Sequence, residues 1–246
     1  MTSPPLSQEQ PDGSRLYRHP LTGELAPSVT TIISQINKPR LVGWSARLAA
    51  EYAISEWDSL GELSPYGRKE AIRYAHERER DKASDLGTQV HLAIEHFVNG
   101  EPFEHSKEVS PFMTSFTRFL MEKRPEFLRA ETTVWNRTYG YAGTADIIAV
   151  IDGKTYLADW KSGRSLHSEV GLQLSALAHG EFIITPEGQE LEMPHIDAVA
   201  AIHIRPRSWR FAPVNCFEEN FSAFLAAREL YYWSTEVSPR VLGEAA

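Results

Sequence analysis

With 246 residues, the chain suits one large domain or one domain with a helical annex, and 42% hydrophobic content is enough for a core. Its formal charge of −8 does not advertise a nucleic-acid binder, so any DNA contact needs a local basic groove or metal ions. The lone Cys216 excludes an intramolecular disulfide and any four-cysteine metal site, which points to a reducing cytoplasm. No signal peptide is read, and no apolar run reaches the roughly 18 residues that a membrane span needs.

Residues 1–14 are Pro, Ser, Gln and Gly with little apolar content and read as a disordered leader. Residues 16–26 suit a small hairpin around Leu21-Thr22-Gly23, and Ser28 caps a short helix through Ile36. Thr30 and Thr31 there read as capping or packing residues before phosphate contacts. Pro39 opens a second helix through about Trp57, and Pro65 a third through about Lys82. The third is charged nearly all round with mixed signs, the usual pattern of a solvated face, with a DNA-facing role for its arginines as the alternative.

Ser84 or Asp85 is expected to cap the next helix, which carries Leu86, Val90, Ala93, Ile94 and Phe97 as a core stripe and ends at Asn99-Gly100. His91 sits at the edge of that stripe; a satisfied, half-buried histidine is the bland reading. The run His91-x-x-x-Glu95-His96 matches neither H-E-x-x-H nor H-x-x-E-H, so the zinc-protease motifs fail. A helix over 108–123 follows, stopped by Pro125, and from Glu131 the periodicity becomes alternating.

The stretch Tyr141 to Gly163 is the centre of the chain. Two runs rich in β-branched residues flank Asp152-Gly153, a strong hairpin signal. A two-residue loop pairs Ile151 with Lys154, and continuing that register outward sets Asp146 opposite Asp159, with Cβ atoms roughly 4.5–5.5 Å apart. By alternation Lys161 shares their face. Two like charges so placed repel, and a divalent cation between them reverses the sign. Mg²⁺ and Mn²⁺ prefer such carboxylate oxygens. A surface hairpin with solvated Asp and Lys is the plain alternative, and the register assumes no bulge.

Beyond Gly163, a helix over 168–179 closed by Gly180 puts Gln173 on an otherwise apolar face. A buried amide there needs a partner, since leaving it unpaired costs roughly 1–3 kcal/mol. It bonds either backbone or the acidic cluster. Strands follow over 196–204 and 209–214, with Arg205, Arg207, Trp209 and Arg210 at their junction. These form either a phosphate-and-stacking surface or an ordinary loop. A closing helix spans 217–233, and the tail over 236–246 is expected to be flexible.

The order of Gly87-x-x-x-His91 on a helix, a Glu131 strand, Gly143-Thr144-Ala145-Asp146, Asp159-Trp160-Lys161 and Gln173 on a helix resembles the PD-(D/E)XK nuclease superfamily. It is most similar to the RecB-like branch, which includes CRISPR-associated exonucleases and their phage-encoded relatives. Residues 27–32 are similar to an entry segment of the phage members. The resemblance implies an α/β (α+β) restriction-endonuclease-like core of order αβββαβ on a mixed sheet. Residues 127–235 would form that core, and 15–126 a helical annex whose His91 helix packs on it. It implies Mg²⁺ or Mn²⁺ held by Asp146, Asp159 and His91, and Lys161 as the catalytic lysine. Glu131 is similar to an acidic residue of the first core strand. Several CRISPR-associated members hold an iron–sulfur cluster through four cysteines; with Cys216 alone this chain cannot.

The activity so implied is metal-dependent DNA exonucleolysis, on single strands or DNA ends, in recombination, replication or repair. A recombination or replication partner and a cytoplasmic site, the host's if phage-encoded, go with it. Two other readings compete: a nuclease fold with weak or no chemistry that binds DNA ends, and a zinc hydrolase built on His91, Glu95 and His96.

Overall fold

A computed structural model describes residues 6–243 of the chain. Among these residues it forms eight α-helices and ten β-strands. In chain order come β1 (Ser7–Glu9), β2 (Arg15–Arg18), β3 (Leu25–Pro27) and α1 (Val29–Ile33), then α2 (Pro39–Ser55), α3 (Trp57–Gly61), α4 (Pro65–Arg73) and α5 (Ala75–Val98). There follow α6 (Ser110–Lys123), β4 (Glu126–Asn136), β5 (Tyr141–Ile151), β6 (Lys154–Lys161) and α7 (Glu169–Ala178). The last are β7 (Phe182–Ile184), β8 (Glu190–Glu192), β9 (Ala198–Arg205), β10 (Ser208–Pro213) and α8 (Phe217–Tyr232).

The chain divides into two units, one of residues 37–89 and one of all the rest. This differs from the expected annex of 15–126. The hairpin before α1, the end of α5 and the whole of α6 belong with the sheet, because their apolar faces are buried there. In the smaller unit, Pro39 and Pro65 open α2 and α4, and the Ser64 hydroxyl accepts from the Gly67 N–H at 3.1 Å. Arg68 donates to the carbonyls of Leu60 and Gly61 at 2.9 and 3.2 Å, closing the end of α3, and the Arg78 guanidinium lies over the Tyr52 ring. Those arginines hold the unit together. The break between helices falls at Tyr74, not at Ser84 or Asp85. The Glu- and Arg-rich run after Ala75 propagates a helix well, so Ser84 and Asp85 end up exposed in its interior.

The larger unit is built on a seven-stranded sheet of order β10-β9-β6-β5-β4-β7-β8. All neighbours are antiparallel except β6 and β9, which run parallel. The chain is thus a mixed α+β fold in which α6, β4, β5, β6, α7 and β9 give the order αβββαβ, with the β7–β8 pair inserted after α7. The Asp152-Gly153 turn takes φ of 51° and 78°, the double left-handed geometry of a tight hairpin, and Ile151 pairs with Lys154. The β6–β9 parallel pairing is made possible by α7 and the strands after it, which carry the chain back across the sheet.

Each face of the sheet is covered. On one, Phe116 and Phe119 of α6 clamp Trp160 of β6 edge-on, at ring-centroid distances of 5.4 and 5.8 Å. On the other, α1, α7 and α8 bury Ile32, Leu174, Leu177 and Phe224 against Ile148 and Leu157. A small sheet of order β1-β2-β3 packs Tyr17 and Ala26 on Trp135 and Ala142. Ser28 caps α1 by accepting from the Thr31 N–H at 2.9 Å. Thr31 in turn accepts from the Arg15 N–H at 2.8 Å, so it ties α1 to β2.

The described residues near both ends, 6–14 and 236–243, are more ordered than their composition implies. Ser7–Glu9 pairs with Arg15–Tyr17 across a turn in which Gly13 has φ of 80° and Asp12 accepts from the Ser14 N–H. At the other end, a π turn over Trp233–Val237 and a 3-10 turn over Ser238–Arg240 continue α8. Residues 1–5 of the expected leader and 244–246 of the expected tail lie outside the described residues. Among the described residues, no helix is long and apolar enough to cross a membrane.

Candidate functional site

The register predicted for the central hairpin holds from Ile151–Lys154 to Ile147–Ala158 and then stops. Asp146 and Asp159 are not a ladder pair. Ala145 and Ile148 both join the apolar cluster under α7, although residues three apart in a regular strand face opposite sides. The strand therefore rotates locally at Asp146-Ile147. On β4 the rotation is absorbed by Glu131, whose φ is 43°, between the pairs Ala130–Ile147 and Thr132–Ala145. Glu131 thus stands across from Asp146, and backbone irregularity and carboxylates coincide.

Asp159 is 2% exposed on β6. Its Oδ1 accepts from the Gln173 amide at 2.8 Å, and Gln173 Oε1 accepts from Lys161 Nζ at 3.2 Å. Lys161 Nζ also lies 2.6 Å from Asp159 Oδ2, and this ion pair is the contact made by that buried oxygen. Gln173 therefore faces the acidic cluster and not a backbone group, as α7 lays its polar position over the end of β6. Asp146 Oδ2 accepts from the Trp160 N–H at 2.8 Å, and His91 Nδ1 of α5 is 3.6 Å from the same oxygen.

The electrostatics follow from crowding. Burial, then the Glu131-facing charges of Asp146, Glu95 and Asp159, push the Glu131 carboxyl up to about 8. Burial and the Asp159 charge push Asp146 up to about 6, against the opposing pull of His91, Lys161 and the Trp160 N–H. Burial alone would lower Lys161, but Asp159 and Asp146 outweigh it and leave the ammonium raised and charged. Glu131 is the functional candidate that sequence reading left without a role. Its register is legible only with its left-handed backbone in hand.

Among the described residues, no three His, Cys, Asp or Glu side chains already converge on one point as a metal shell. The donors nevertheless suit Mg²⁺ or Mn²⁺, which one or two carboxylates hold while waters and phosphates fill the other positions. The Asp146 and Glu131 carboxyls are crowded and raised, while Lys161 already stands against Asp159 Oδ2, so a cation there would share that oxygen with the ammonium. Glu95 lies on the same helix as His91, but His96 turns away: its Nδ1 is 2.7 Å from Glu101 and its ring stacks on Phe103. The geometry of a His91, Glu95 and His96 zinc site is absent.

The arginine and tryptophan candidates at the β9–β10 junction do not act alike. Trp209 packs edge-on against Phe119 at 5.3 Å, and Arg205 donates to the carbonyls of Ser162 and Gly163 at 2.9 and 2.7 Å. Arg207 and Arg210 are exposed. Through the strand pairings Lys161–His203 and His203–Arg210, Arg210 lies two strands over from Lys161 at the same level of the sheet.

No protein-family model matches the sequence, and no curated protein matches it.

Proposed function

We propose that the protein is a divalent-metal-dependent deoxyribonuclease, an exonuclease that hydrolyses phosphodiester bonds, built on the PD-(D/E)XK plan of the RecB-like branch. The observation that carries this reading is the linked set Asp146, Asp159, Lys161 and Gln173 at the end of β6, in which Gln173 and Lys161 both meet the buried Asp159 carboxylate. Asp146 and Asp159, with His91 and Glu131 beside them, would hold Mg²⁺ or Mn²⁺. The cation supplies positive charge that activates water and offsets charge on the phosphate. Lys161 is charged and half-buried, and offers its protons to the phosphate oxygens as negative charge grows on them. Gln173 fixes the rotamers of both Asp159 and Lys161. Arg207 and Arg210 offer exposed cations to the strand backbone. Recombination, replication or repair of DNA, alone or with a protein partner, is the setting this activity suits.

A second reading is a DNA-end-binding factor with little chemistry. It is favoured by the Lys161 ammonium standing against the very oxygen that a cation would need. End-labelled single- and double-stranded DNA, incubated with the protein and with Asp159→Ala in Mn²⁺, Mg²⁺ or EDTA, separates the two. Metal-dependent degradation that the variant loses supports the nuclease, and the fate of the label gives its polarity. DNA retained but never cut supports the binding factor.

A further inference from the structure

Tyr17 belongs to the N-terminal hairpin, yet its hydroxyl reaches the central strand. The side chain is 2% exposed and its oxygen lies 2.8 Å from Thr144 Oγ1, 127 residues away in sequence. The ring packs with Trp135 and Ala142 in the cluster beneath the small sheet, and the backbone bridge Ser28–Ala142 ties the same segment of β5 to the end of that hairpin. Ala142 and Thr144 therefore face the hairpin in regular alternation. Directly after them the strand rotates, and Asp146 leaves the ladder. Thr144 is the last polar side chain fixed before the rotation, and the Trp160 N–H holds Asp146 just after it.

We propose that Tyr17 is a positioning residue: through Thr144 it pins β5 on the near side of this rotation and so sets where the Asp146 carboxylate comes to rest. The hydroxyl pair fits this task better than plain packing does. A ring alone would bury the same surface, whereas the bond fixes the strand along its own length. The use of that position for a cation rests on the metal-site reading given above, but the placement of Asp146 does not.

The test uses the full chain and four variants: Tyr17→Phe, Thr144→Val, Thr144→Ser and the Phe/Val double variant. Binding of Mn²⁺ alone is measured by titration calorimetry. Exchange of the Trp160 amide, whose acceptor is Asp146, is measured by NMR in EDTA, with the Phe224 amide of α8 as the control for global opening. Tyr17→Phe and Thr144→Val are each expected to weaken Mn²⁺ binding about tenfold, as outer-shell changes do. They should also speed Trp160 exchange while leaving Phe224 unchanged. The double variant should be no worse than either single one, since the two share one bond. Thr144→Ser, which keeps the hydroxyl, should behave as the parent. Unchanged Trp160 exchange in Tyr17→Phe overturns the proposal, as does faster exchange that Phe224 shares. Absence of Mn²⁺ binding by the parent chain defeats the metal reading instead, and the exchange rates then decide the positioning role alone.

Discussion

The backbone N–H of Trp160 donates to the side chain of Asp146, not to a carbonyl of β5, over 2.8 Å. A carboxylate thus replaces the main chain as the acceptor at the point where the two strands part. The same N–H lies between Asp159 and Lys161 in the sequence, so one peptide group connects all three charged residues. Replacing Asp146 by Ala should cost more than a ligand. It leaves a buried donor unpaired, worth about 1–3 kcal/mol, and it should lower the melting temperature even in EDTA. Asp146→Asn keeps the acceptor and removes the buried charge, so in EDTA at neutral pH it should be at least as stable as the parent while losing any nuclease activity. Circular dichroism melts of the two variants check this, and equal loss in both would contradict it.

Stability without metal should fall as pH rises. Asp146 and Glu131 are pushed from the ordinary 3.8 and 4.5 to about 6 and about 8. Between those ranges the folded chain binds more protons than the unfolded one, so each pH step upward favours unfolding. The window runs from about pH 4 to about 8. Glu131→Gln removes the larger contribution and should stabilise the protein in EDTA at pH 8 by roughly 1–3 kcal/mol. Mn²⁺ should flatten the parent's pH dependence. A melting temperature that climbs from pH 5 to 8 in EDTA would count against this.

Gln173→Glu and Gln173→Leu should differ in kind. The first sets a third carboxylate against Asp159, and metal affinity or stability must change with pH. The second leaves Asp159 Oδ1 without its donor, at a cost of roughly 1–3 kcal/mol, and frees Lys161 to move. Both should reduce any nuclease activity by at least about tenfold, in line with loss of an outer-shell partner. Calorimetric Mn²⁺ titration beside single-turnover cleavage separates them. A Gln173→Leu variant as active as the parent would remove Gln173 from the site.

Gly180 should tolerate no side chain. A Cβ there would lie 1.9 Å from Val134 Cγ1 and 3.1 Å from the Leu177 carbonyl. Valine has little rotamer freedom with which to yield, so Gly180→Ala should destabilise the chain by about 1–3 kcal/mol. Urea melts test this, and Mn²⁺ affinity of the folded fraction should be unaffected. The sequence placed this glycine at the end of a helix. It does close the helix, with His179 as the cap and the Gly180 N–H donating to the Leu177 carbonyl, and it also leaves room between α7 and β4.

The parts of the fold that were legible in advance share a local cause. Asp152-Gly153 announces its turn by residue type alone, and the ladder register follows from it. Ser28, Pro39 and Pro65 mark helix starts, and Gln173 stands out because it is polar on an apolar stripe. What stayed hidden depends on distant partners. β7 and β8 are three residues each and exist because they pair with β4 and one another. The displacement of Asp146 needs the left-handed Glu131 on a different strand, and no propensity predicts a glutamate there. Trp209 is legible as a stacking candidate near arginines, but Phe119 packs against it from a helix about 90 residues earlier in the chain.

The parallel pairing of β6 with β9 also dictates an order of events during synthesis. Strand β6 emerges from the ribosome with only β5 beside it, and its second neighbour begins at Ala198. Until then the edge that carries Asp159 and Lys161 is open, and the carbonyls of Ser162 and Gly163 lack the Arg205 guanidinium that later holds them. Domains tend to fold from the N-terminus as they are made, but pairings this far apart in sequence close late. The nascent chain therefore carries its acidic residues through the synthesis of residues 162–197 without a finished sheet to arrange them, and chains truncated before Ala198 should bind no Mn²⁺.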